Sequence, residues 1–121
     1  MGSILTSIKK LLGITEEYDH FDQDLIIHIN SVLSMLTQLG VGPPKGFAIK
    51  DKTSVWTDFV PENTSLEGIK SYTYLKVKLL FDPPLSAAVI ESTTRLIGEL
   101  EWRINVTVDP REKQEEGIQN G

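Results

Sequence analysis

Residues 66–92 read LEGIKSYTYLKVKLLFDPPLSAAVIES. Up to Phe81 the apolar residues recur at helical spacing. Leu66, Ile69, Val77, Leu80 and Phe81 make one side, and Tyr72, Leu75 and Leu79 make another. A helix that is apolar on two sides is covered on two sides. Either it lies centrally in the subunit or a second subunit shares it. Asp82-Pro83-Pro84 then stops it, because the residue before a proline avoids helical backbone. Ser86 offers a cap for a further helix running to about Val106. That helix carries an apolar stripe of Val89, Ile90, Leu96, Ile97, Leu100 and Ile104. Trp102 falls opposite, among Glu91, Arg95 and Glu99, with Val106 on the same outer side. A tryptophan on a polar face is a candidate interface anchor.

Upstream, two more helices are predicted. Ser3 caps the first and Gly13 ends it, with Ile4, Leu5, Ile8, Leu11 and Leu12 on one side and Lys9 and Lys10 opposite. The connector 15–24, TEEYDHFDQD, is acidic, and Asp22 is expected to cap the second helix, which runs to Leu39 and stops at Gly40. Its broad face is Leu25, Ile26, Ile29, Val32, Leu33, Met35, Leu36 and Leu39; Asn30, Ser31, Ser34, Thr37 and Gln38 lie opposite, and Ile27 projects from the polar side. His28 sits at the stripe's edge, where a hydrogen-bonded structural histidine is expected. In residues 40–55, Gly40, Gly42, Pro43, Pro44 and Gly46 forbid a continuous helix. Phe47–Ile49 and Ser54–Trp56 alternate and could pair as a short hairpin. Phe47, Ile49 and Trp56 predict that this long loop is at least partly ordered.

The expected fold is therefore all-α: a four-helix domain over residues 1–108, with a long loop between the second and third helices. Residues 109–121, DPREKQEEGIQNG, are acidic and nearly devoid of apolar side chains, so they are expected to form a disordered tail able to fold on a partner. The 121 residues carry 12 basic and 17 acidic groups, a net charge of -5, and no cysteine. Neither half is basic, which argues against a protein that lives by neutralising phosphates. Without cysteine there are no disulfides or thiolate ligands. No run is apolar enough to span a bilayer, and the start does not read as a signal peptide. A soluble, intracellular protein is expected.

The sequence holds no phosphate-binding glycine loop, dinucleotide fingerprint, nucleophile elbow or zinc-protease motif. Glu99 and Glu101 are two apart on a helix and face different ways, so they do not form an acid–base pair. Asp19, His20, Asp22 and Asp24 are close in sequence, but the glycine and terminal glutamate of a calcium loop are missing. The reading is a non-enzyme with no catalytic residues, no metal and no cofactor. Three other readings make distinct predictions: a small helical dimeric regulator, an enzyme built on His28 and the acidic connector, and a DNA binder released by salt.

Five segments carry a resemblance: SILTSIKKLLGI at 3–14, HINSVLSMLTQLGVGP at 28–43, VW-x-DF at 55–59, YLKVKLLFDPPLSAAVIES at 74–92 and ELEWRINV at 99–106. In that order and spacing the chain resembles the head–tail connector (adaptor) proteins of long-tailed phages and prophages. The resemblance implies a helical subunit that assembles into a homo-oligomeric ring, commonly a dodecamer, beneath the portal protein. It implies a virion component at the head–tail junction, made in the bacterial host cytoplasm, that also docks a head-completion or tail-joining protein. DNA would pass through the channel without specific binding, since many acidic copies repel phosphates. On this reading Tyr72, Leu75 and Leu79 pack subunits together. Trp102, Arg103 and Val106, with the tail beyond, meet the portal or a neighbour. Asp82, Pro83 and Pro84 form a structural corner that sets the angle between the last two helices.

Overall fold

The computed structural model describes residues 2–61 and 66–120, with side chains to Val106. Among them are five helices: α1 (Ile4–Leu11), α2 (Asp22–Gln38), α3 (Trp56–Phe59), α4 (Leu66–Phe81) and α5 (Ala87–Asn120). The four expected helices are present, α3 is a single extra turn in the long connection, and the last helix runs on to Asn120 rather than ending near Val106. The caps expected of the third helix, Asn63, Thr64 or Ser65, lie outside the described residues, as do the side chains of the acidic stretch 109–121.

The start of α1 follows its sequence signals. Ser3 Oγ accepts the Thr6 N–H at 3.2 Å, and the chain leaves the helix through Gly13, with φ of 82°. Lys9 corrects the expectation of a lysine on the outer side. It is 2% exposed, donates Nζ–H to the Glu16 carbonyl at 2.9 Å and lies 2.8 Å from Asp22 Oδ1. The geometry at Asp22 is that of an ion pair rather than a directed hydrogen bond. A lone buried ammonium is costly, so both partners are needed to keep it there. The same contact corrects the expected cap of α2. Phe21 holds the cap position without a side-chain bond, and Asp22 is the first helical residue. There, with Asp24, it suits the positive end of the helix dipole.

The centre of the core is α2. Leu25, Ile26, Ile29, Val32, Leu33 and Leu36 are all buried. The helix packs against α1 and, more extensively, α4. The long connection closes one side of this layer. Asn30 reaches from α2 to clamp its backbone: Nδ2–H donates to the Ile49 carbonyl at 3.0 Å, and Oδ1 accepts the Ile49 N–H at 2.7 Å. Ile49, Trp56, Phe59 and Val60 are buried beneath it. At Gly42, φ is 82° and a Cβ would stand 2.4 Å from the Phe59 ring, so only glycine fits.

No β-hairpin forms. Asn30 already satisfies Ile49, and Trp56 turns into α3, so 47–49 and 54–56 never face each other. Among the described residues the sole β contact is an isolated antiparallel bridge between Ser3 and Val55. Trp56 Nε1–H donates to Ser7 Oγ at 3.2 Å, and the Ile4 N–H donates to the Ser54 carbonyl at 3.0 Å. The loop is thereby sewn to the start of α1.

Next, α4 is sandwiched between α2 and α5. Both apolar sides thus find a neighbour within the subunit, but incompletely: Leu75 and Leu79 stay half-buried and Leu80 exposed. It ends at Phe81, where the Asp82 N–H still reaches the Lys78 carbonyl at 2.8 Å before the two prolines intervene.

Candidate functional site

The groups that could suggest chemistry are taken up structurally. His28 is half-buried, its ring 6.4 Å from that of Phe81. His20 clusters with Tyr18 and Phe21, the three ring centroids lying 5.6–6.1 Å apart. Asp22 holds Lys9. Glu99 pairs with Arg103, while Glu101 turns inward and accepts the Tyr72 hydroxyl at 3.1 Å. Asp51, fully exposed, is held below the usual carboxylate range by hydrogen bonds from the Thr53 hydroxyl and N–H. Among the described residues no three acidic or histidine side chains gather as a metal site, and no helix is long and apolar enough to cross a membrane.

What stands out is the surface of α5. A helix docked on one neighbour uses only one stripe. Here that stripe is Thr93, Ile97, Leu100, Glu101 and Ile104, of which Ile97 and Ile104 are buried and the others half-buried. The predicted core stripe is thus too generous: Val89, Ile90 and Leu96 are exposed. All residues from Leu85 to Ser92 are exposed, so the helix begins beyond the reach of α4. The turns ahead of Thr93 have no neighbour to bury them.

The outer side of α5 carries Trp102, 67% exposed, and Val106 one turn later. They are framed by two ion pairs at i, i+4 spacing, Glu91 with Arg95 and Glu99 with Arg103. Pairs as exposed as these add little to stability. Leu85, at the corner, is fully exposed.

Of the residues expected to form interfaces, Trp102, Arg103 and Val106 share the outer side of α5. Tyr72 does not reach the surface. It is 1% exposed and fixes α5 from within through Glu101. Burial, and then the acceptor Glu101, push the Tyr72 hydroxyl well above the usual tyrosine range. Leu75 and Leu79 are half-buried and pack against the core. In the corner, Asp82 and Pro83 are exposed and Pro84 is half-buried; Asp82 lies 3.6 Å from Lys78. Sequence reading missed Lys9, Asn30 and Glu101, because each looked like an ordinary polar surface residue. A lysine or asparagine declares itself structural only when its partner, distant in sequence, is known.

A family model described as phage connector protein matches residues 4–111. No curated protein and no solved structure gives a match. The match begins at the first residue of α1 and runs past the last described side chain of α5, taking in the core, the proline corner and the apolar outer surface. The chain belongs to the phage connector protein family.

Proposed function

We propose that this connector is a structural adaptor at the head–tail junction of a tailed phage. Copies assemble as a ring under the portal, continue the DNA channel, and present a docking surface to the next head-completion or tail-joining protein. No bond is made or broken; the work is geometric. One observation carries the reading: α5 is docked along a single stripe and leaves Val89, Leu96, Trp102 and Val106 exposed, with Leu85 exposed at the corner before it. Scattered apolar residues on a surface mean little, but a half-covered helix with a tryptophan on its free side suits burial by another chain.

In this reading the Asp82-Pro83-Pro84 corner aims α5, and Tyr72 with Glu101 holds that aim. Leu75 and Leu79 supply the half-buried edge against which a neighbouring copy packs. Trp102, Arg103 and Val106 meet the portal or a neighbour, with residues 109–121 as an acidic extension of that contact. The net charge of -5 per copy keeps DNA moving through the channel rather than gripping it. Light scattering on the protein alone and mixed with its portal tests the proposal. A ring, formed alone or only on the portal, is expected. A species that ignores the portal would remove the mechanism.

A further inference from the structure

The outer side of α5 is complementary to itself. Six residues lie along its centre line at alternating spacings of four and three: Ala88, Ser92, Arg95, Glu99, Trp102 and Val106. All six are exposed. This is the spacing that places side chains in the seam of two paired helices. Turned antiparallel about a point beside Ile97, the seam meets a second copy of itself in matched pairs. Arg95 faces Glu99 of the second copy, and Glu99 faces its Arg95. Trp102 faces Ser92, and Val106 faces Ala88, so each large side chain meets a small one. At the margins, Glu91 and Arg103 lie on opposite sides of the seam, so neither meets a like charge of the second copy. No like charges meet. A parallel pairing would set Arg95 against Arg95 and Glu99 against Glu99, which like-charge repulsion disfavours.

We propose that the free protein forms a two-fold dimer through antiparallel pairing of the outer sides of α5. The opposite stripe of α5 stays on α4, so the pairing asks nothing of the core. A two-fold contact is closed and stops at two copies, whereas a ring needs head-to-tail contacts. The dimer therefore covers Trp102 and Val106 and holds the subunit back from ring growth until a portal competes for the same surface. The overlap from Ala88 to Val106 is 19 residues, about 28 Å of helix, and the seam contains charged and small residues. The contact is accordingly weak and exchangeable.

The test is a charge swap read by sedimentation over a wide concentration range, with helix content followed by circular dichroism. The wild-type chain is expected to pass from monomer to dimer with concentration. Arg95→Glu sets glutamate against Glu99 twice per dimer and is expected to weaken dimerisation on the order of a hundredfold. Arg95→Glu with Glu99→Arg restores opposite charges across the seam and is expected to recover most of that loss. If Arg95→Glu loses helix, Glu99→Arg alone supplies the reciprocal repulsion. A wild-type chain monomeric throughout would overturn the inference, as would a folded double swap that stays as weak as the single change. A chain that never dimerises yet still forms a ring on the portal would sink the dimer alone and leave the proposed function standing.

Discussion

The helices α2 and α5 stand at opposite ends of the packing. In α2, six apolar residues are buried, and the long connection, α1 and α4 surround it. In α5, two apolar residues are buried among its described side chains, while Val89, Ile90, Leu96, Trp102 and Val106 remain exposed. The difference is one of neighbours rather than composition. A helix with partners on several sides completes its core inside the chain. A helix with one partner leaves its other sides uncovered. Burial is thus concentrated around α2, and the surface proposed for recognition lies on α5.

This division can be broken by substitution. The largest effect is expected at the α2 end. Trp56→Ala empties a buried site beneath the connection and removes the bond to Ser7, and should cost about 3–5 kcal/mol, measured by denaturant unfolding. Asn30→Ala comes next. It leaves the Ile49 N–H and carbonyl without their clamp, at about 1–3 kcal/mol, and faster amide exchange at Ile49 should accompany the loss.

Tyr72→Phe probes the seam where the two regions meet. Loss of the hydroxyl contact to Glu101 should cost about 1 kcal/mol at neutral pH. Its pH dependence has a defined sign. The unfolded tyrosine ionises near pH 10, and the folded hydroxyl holds its proton to higher pH. The folded state therefore binds more protons above about pH 10, and stability, complete below that, falls as pH rises through it. Tyr72→Phe should flatten this alkaline decline; an unchanged slope would show that Tyr72 does not cause it.

The smallest effect on folding is expected at the surface. Trp102→Ala should shift stability by less than about 0.5 kcal/mol while weakening association with a second copy and with the portal. If it unfolds the subunit instead, the separation between stabilising core and recognising surface fails.

Local signals placed the start of α1 and the end of α4 correctly because capping and termination are local. Ser3 bonds within its own first turn, and Pro83 and Pro84 act on the residues beside them. The periodicity of α2 also translated into burial, since every side of its stripe finds a neighbour. The same reasoning overreached at Val89, Ile90 and Leu96. A stripe shows that residues share a side, not that a neighbour is long enough to cover them. The alternating run at 47–49 was legible as extended chain, yet its partner proved to be a side chain amide rather than a strand.

The sequence by itself determined that the chain is helical, that two prolines turn it between its last two helices, that it lacks the motifs of familiar catalysis, and that Trp102 stands on the outer side of the last helix. Those properties depend on bonds and periodicities spanning a few residues. Only the tertiary structure decided that Lys9 is buried against Asp22, that Asn30 holds the long connection, that Tyr72 serves the interior, and that α5 is covered along one stripe. Each of these depends on which distant segments meet, and that is settled by the packing of the whole chain around α2.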